Sequence, residues 1–581
     1  MPSLVVCAGC QHEFSQPGLK RHYVQVSASS KCAEIYRTSM AYLPPEEDHP
    51  KSSSPEFLRS SPVDENMTDM FLDGDFDNVD SGPDMPDLLD VSDDESDEDE
   101  SSGWEPTPSP PSFDARTRAQ ERFIQKPHIT KFGGAAGTPL RRKEVPAYEQ
   151  YRSCISELDD NPWAPFKSKI DWQIAQWAKV RGSTSTAFSD LLAIEGVTEL
   201  LGLSYKTAHD LNKIIDNELP SGRPVFRRQE IVVGGEAFDV YFRPILECVR
   251  ALYGDPEFAQ DLVFAPERHY ADPDKTIRLY HDLHSAEWWW KTQESQKHVE
   301  KRKPGATLVP LIISTDKTQI TVFHNKSAYP VYMTIGNIPK HIHRKPSRQA
   351  YILIGYLPTS RLDHITVAAA RRRAVANLYH ACMRKIFAPL KEAGLNGVEM
   401  ASGDGVVRRC HPILAVFAGD YPEQLLVTGV KTGECPTCPV PRDELGDLED
   451  VYEPRDLIRV LAALAKADGN ATEFTRACAE AGIKPIHRPF WEDLPYVNIF
   501  LSITSDILHE LYQGVIKHVI AWVTDAFGAV EIDARCRRMP PNHNTRLFLK
   551  GITTLSRVSG AEHSQMCKIL LGLIVDLRLP Q

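Results

Sequence analysis

Between Thr307 and Asp420 the apolar segments follow an order that few folds accept. Thr307–Val322 (TLVPLIISTDKTQITV) reads as a strand with one acid, Asp316, in its middle. Val331–Ile335 reads as a second strand and Ala350–Leu357 as a third. Ile365–Leu390 has the length of a long helix, and Pro412–Gly419 (PILAVFAG) is a fourth strand that stops at Asp420. Short apolar runs bounded by polar residues suit buried strands; apolar residues three and four apart suit a helix. An isolated acid among apolar residues is costly to bury unless it is paired or holds a metal.

Three strands, a helix and a strand ending in an acid is the order of a ribonuclease-H-like core, which would set Asp420 beside Asp316. A final helix is expected near Ser556 and carries Glu562, which would complete a set of three carboxylates, with Glu510 as a competing acid. Such oxygen donors suit Mg²⁺ or Mn²⁺, hard cations that support two-metal phosphodiester cleavage. The stretch from Leu425 to about Ile552 does not fit that core and reads as an insertion.

The rest of the chain is divided by composition. Its 581 residues exceed one ordinary core and imply two to four folded units. The net charge of −13 seems at odds with a nucleic-acid partner, but the acid is concentrated in Asp73–Glu100, ending DVSDDESDEDE. A block of that kind buries too little apolar surface to order itself. Without it the chain is near neutral, and the clusters Lys340–Arg348 and Arg371–Arg373 remain as either solvated surface or phosphate contacts. No apolar run reaches the roughly 18 residues of a membrane span. The start, MPSLVVCAGCQHEF, does not read as a signal peptide. An intracellular setting follows, in which the 12 cysteines are thiols or zinc ligands rather than disulfides. Glu287-Trp288-Trp289-Trp290 reads as packing before it reads as a base-stacking platform.

The expected fold class is therefore α/β: a ribonuclease-H-like core with a large, mainly helical insertion, preceded by a small zinc finger and a disordered acidic linker. The expected divisions are a finger-like segment at 1–40, linker at 41–145, a helical and mixed region at 146–300, the first part of the core at 301–424, the insertion at 425–552 and a final core helix at 553–581.

From about Tyr148 onward the residues resemble the Plavaka-type DNA transposases of fungi, in the Kyakuja–Dileera–Zisupton group related to the CACTA transposases. The resemblance is carried by LIISTDKTQIT around Asp316, FAGDYPEQ around Asp420, GECPTCPVP at Cys435 and Cys438, SDILHELYQGVIKH at Asp506–His518, and RMPPNHNTRLF followed by SGAEH at Glu562. It implies a triad of Asp316, Asp420 and Glu562 that cuts and rejoins double-stranded DNA at transposon terminal repeats. It also implies a nuclear, oligomeric protein with neither a membrane nor a small-molecule substrate. The chain stops about twenty residues after Glu562, so a truncated or decayed copy is one expectation. The alternative is a non-catalytic DNA-binding regulator of transcription derived from such an enzyme. A third reading is a cellular ribonuclease-H-like nuclease.

Two further metal signals are structural rather than catalytic. Cys435 and Cys438 form a CxxC that can hold Zn²⁺, and Asp506 and His509 resemble the D/C-x-x-H motif of CACTA-like enzymes. The bland alternative is a turn with two buried thiols. At the N-terminus, Cys7, Cys10, Phe14, Leu19 and His22 resemble a zinc finger, with Cys32 as the fourth ligand. Its gap from Phe to Leu is one residue short of the usual finger, and no histidine closely follows His22.

Overall fold

An almost uninterrupted apolar run has to be buried on both faces, and ATLVPLIIST at Ala306–Thr315 is buried at nearly every position. In the computed structural model this strand lies inside a seven-stranded sheet. The structure describes residues 4–6, 13–15, 127–156, 161–180, 184–219, 224–295, 305–321, 326–444, 452–556 and 558–577. Two compact units divide the chain, residues 1–65 and 66–581. In the first, Leu4–Val6 pairs antiparallel with Glu13–Ser15. Cys7, Cys10, His22 and Cys32 lie outside the described residues, as does the acidic run Asp73–Glu100.

In the second unit the sheet strands, in chain order, are β1 (Arg227–Val233), β2 (Glu236–Phe242), β3 (Ala306–Thr315), β4 (Pro330–Ile335), β5 (Ile352–Tyr356), β6 (Val398–Ala401) and β7 (Val407–Ala418). Their spatial order is β6-β7-β3-β4-β5-β2-β1. β3 and β7 run parallel, and every other neighbouring pair is antiparallel. β1 and β2 close through Gly234 and Gly235, whose φ values of 62° and 85° are those of a two-residue hairpin turn that glycine alone enters cheaply. The long helix α1 (Ala368–Phe387) buries Leu378, Tyr379, Cys382, Met383, Ile386 and Phe387, a stripe at three- and four-residue spacing. That stripe joins the core cluster of Ile313, Met333, Ile354 and Phe417 from the sheet.

The expected three strands, long helix and strand appear in that order, with shifted ends and with one further strand, β6, between the helix and β7. β3 stops at Thr315, so Asp316 follows the strand rather than sitting in its middle, and it is exposed. Residues from several of the expected divisions pair and pack together. Residues expected in the linker belong to the folded unit: His128–Lys131 pairs with Glu267–Tyr270, and the Glu144 amide donates to the Gly405 carbonyl at 2.9 Å. β1 and β2, expected in a region before the core, extend its sheet through β5. The segment expected as the insertion packs on the sheet. Its Val460, Phe474, Cys478, Phe490, Trp491 and Phe500 belong to the sheet's own cluster. The final helix, α3 (Gly560–Ile574), packs instead with Ile532, Cys536, Phe548 and Ile552 in a cluster apart from the sheet. Trp289 is fully buried against Leu308 and Ile413, and Trp290 meets Phe132 edge-on at 4.9 Å, so this cluster is packing.

Residues 163–180 and 184–219 form a small helical cluster around Phe166, Phe188, Tyr205 and Leu211. Asp171, fully buried, ties it together by accepting from the amides of Lys167 at 2.9 Å and Ser204 at 3.1 Å. Asp171→Ala would strand both donors. The expected cost is about 2 kcal/mol, which quickens amide hydrogen exchange across this cluster roughly 30-fold. Unchanged exchange would mean that the two amides find water.

Candidate active site

Parallel strands that end together deliver the next residues to one place. Ala418 of β7 pairs with Ser314 of β3, and each strand places an acid two residues further on: Asp420 and Asp316. Neighbouring strands lie about 4.8 Å apart, so both carboxylates leave the same end of the sheet as neighbours. Asp420 then caps helix α2 (Tyr421–Thr428), its carboxylate accepting from the Glu423 amide at 3.0 Å. Burial pushes the Asp420 carboxyl up, and the charges of Asp316 and Asp506 push the same way; the Glu423 amide and His509 oppose them.

Beneath the pair lies a third acid that sequence reasoning missed. Glu423 is buried, with its carboxylate accepting from the hydroxyls of Thr315 and Tyr329, each at 2.5 Å. Its carboxyl is pushed up to about 8, chiefly by burial, with Asp420 and Asp316 adding repulsion. Tyr379 of α1 reaches Thr315 at 3.4 Å, extending the polar chain into the core.

The acids line the floor of a cleft of about 520 Å³. Lys317, Arg372, Arg373, Lys431 and Lys484 lie on its walls. Burial, helped by the positive charge of Arg372, lowers the Lys484 ammonium to about 8. An acidic floor under basic walls suits a cation below and a phosphodiester above.

The insertion is bolted to this site by the residue after Glu423. The Gln424 side-chain amide donates to the Thr504 carbonyl at 3.2 Å and to Glu510 at 3.0 Å. Asp506 caps the wide, π-type helix Ile507–Ile516, accepting from the Leu508 amide at 2.8 Å, and its other oxygen lies 2.5 Å from Nδ1 of His509. Asp506 and His509 are thus paired with each other beside Asp420. Cys435 and Cys438 lie side by side; burial pushes the Cys438 thiol up, and Cys435 adds to this. Arg455 holds their turn, donating to the Cys435 carbonyl at 2.9 Å. Among the described residues, Cys435, Cys438, Asp506 and His509 do not gather into one ligand cluster.

Glu562 has other partners. It closes a capping box with Ser559 and meets Arg546 at 2.5 Å, and these contacts hold its carboxyl below its usual range. Its helix packs on Ile507–Ile516, with Tyr512 reaching Ser564 at 3.5 Å.

The model of the Plavaka transposase family matches residues 205–523, more than half of the sequence. The chain belongs to the Plavaka transposase family. No curated protein matches it. The Plavaka match takes in Asp316, Asp420, Glu423, Cys435, Cys438, Asp506, His509 and Glu510, and it ends before Glu562.

Proposed function

We propose that this Plavaka-family chain is a DDE transposase that binds double-stranded DNA ends and catalyses metal-dependent strand cleavage and transfer. One observation carries the reading: Asp316 and Asp420 leave adjacent parallel strands above a buried glutamate, in a cleft walled by five cations. The order β5-β4-β3-β7, with a single parallel pair, supports a ribonuclease-H-like core.

Burial raises the Asp420 and Glu423 carboxyls, and neighbouring negative charge raises both further; such a site fits a hard divalent cation, because bound positive charge relieves the repulsion. Asp316 and Asp420 would hold Mg²⁺ or Mn²⁺, which when bound supplies the Lewis acidity that activates water and the freed 3′ hydroxyl. Lys317, Arg372, Arg373, Lys431 and Lys484 position the phosphodiester over the acids. Glu423 keeps a proton in the floor until positive charge enters. Glu562 is the third acid in this proposal, exchanging Arg546 for the cation, and Glu510 is its rival. The DNA ends are those of terminal repeats, the active form is a homo-oligomer, and the setting is the nucleus. Zn²⁺ at Cys7, Cys10, His22 and Cys32, and at Cys435 and Cys438, has a structural role.

The decisive experiment incubates the full chain with Mg²⁺ or Mn²⁺ and DNA bearing candidate terminal inverted repeats. Nicked strands and joined products support the enzyme. DNA binding without cleavage favours a regulator derived from a transposase, and cleavage indifferent to repeat ends favours a general nuclease.

The third acid is separable. Glu562→Gln is expected to lower cleavage about 100-fold or more, while Glu510→Gln retains it within about tenfold. The reverse pattern in the same strand-cleavage assay moves the role to Glu510.

A further inference from the structure

We propose that His269, His281 and His284 form a binding site for a divalent transition-metal ion, with zinc as the best match. The site lies outside the carboxylate cleft and is independent of the transposase reading.

The histidines come from two elements brought together by strand pairing. His269 lies on strand Glu267–Tyr270, opposite Leu279 of the short strand Arg278–Leu279. His281 follows that strand, and His284 lies in the turn Leu283–Ser285, fixed by a capping box between Asp282 and Ser285. Arg278 secures the arrangement, donating to the carbonyls of His269 at 3.1 Å and Ser285 at 2.9 Å.

The three rings offer nitrogen atoms that all lie within 4.8 Å of one another. Their centroids form a triangle with sides of 4.7, 5.6 and 5.6 Å. Three imidazoles bound tetrahedrally to zinc at about 2.0–2.1 Å place their centroids roughly 5.2 Å apart, the middle of that range. The rings therefore need only small rotations to share an ion.

The hydrogen bonds already follow a metal-site pattern. Glu267 lies 3.0 Å from Nε2 of His269, which fixes the proton there and leaves Nδ1 as a lone pair. Nε2 of His281 lies 2.9 Å from that Nδ1, so a single proton occupies the place that an ion would take. Nδ1 of His284 is buried with no hydrogen-bond partner; Asp282 is 3.9 Å away. A buried imidazole nitrogen left without a partner is costly unless it has a ligand. His281 is exposed, so the fourth position faces solvent and suits water.

The experiment uses the full chain stripped by a chelator and titrated with Zn²⁺, and separately with Co²⁺. His281→Ala is expected to bind one ion fewer than the parent. In the Co²⁺ protein it should lose ligand-field absorption while keeping any thiolate charge-transfer band. Because His281 is exposed, the variant should fold, and circular dichroism checks this. Glu267→Gln keeps all three histidines and is expected to weaken zinc binding about 10- to 100-fold. Equal zinc stoichiometry in the parent and a folded His281→Ala overturns the site, as does unchanged affinity in Glu267→Gln.

Discussion

Asp420→Asn is expected to lower cation-dependent DNA cleavage by about a thousandfold or more while leaving DNA affinity within a few-fold. The size follows from the proposed role, in which the change removes one charged ligand from a site where a bound metal would supply several kcal/mol. Asparagine is the informative replacement because it still caps a helix. It can accept from the Glu423 amide as Asp420 does, so α2 and the residues on it stay in place. The cleft's cations are untouched, so affinity measured by gel shift should persist. Cleavage at the parent rate would remove Asp420 from the chemistry, and loss of both cleavage and binding would point to misfolding.

The second large effect belongs to Glu423 and depends on pH. Its carboxyl titrates near 8 in the folded chain against 4.5 for the free side chain. The folded state therefore holds a proton that the unfolded state releases, and stability from this group falls as pH rises from about 4.5 to about 8. The slope is roughly 1.4 kcal/mol per pH unit, and the curve is flat above the folded value. Glu423→Gln mimics the protonated form: its amide can donate to one hydroxyl while its carbonyl accepts from the other. The variant should gain on the parent as pH rises, by on the order of a few kcal/mol between pH 5 and pH 9. Calorimetric melting at the two pH values measures this directly. A pH-independent difference would mean that Glu423 is ionised throughout, with its charge met by the basic walls.

Asp316 and Asp420 were legible because each follows an apolar run long enough to be a strand, and because parallel strands share their ends. Glu423 was hidden by the reading its own neighbours invite. Asp420-Tyr-Pro-Glu423 has the spacing of a capping box, in which the glutamate lies at a solvated helix start. Its burial comes from Thr315 and Tyr329, about a hundred residues away in sequence. The histidine cluster failed for a similar reason. His281 and His284 are three residues apart in the sequence, but His269 reaches them through strand pairing that no local pattern reveals. The stretch at 128–145 looked like linker because of its glycines and prolines; its partner strand lies well over a hundred residues further along. The final helix was expected on the sheet, but its apolar stripe is spent on the neighbouring helices of the C-terminal cluster.

Helix α2 is only eight residues long, yet it carries three separate attachments. Asp420 begins it, Glu423 anchors it into the core, and Gln424 grips the insertion at Thr504 and Glu510. Tyr421 adds a fourth, donating to the Glu434 carbonyl beside the cysteine pair at 2.9 Å. A rod this short cannot flex between its fastenings, so the carboxylates and the insertion share one set of mechanical degrees of freedom. Strain applied to the insertion, by DNA or by a second subunit, would arrive at Asp420 within a single turn of helix.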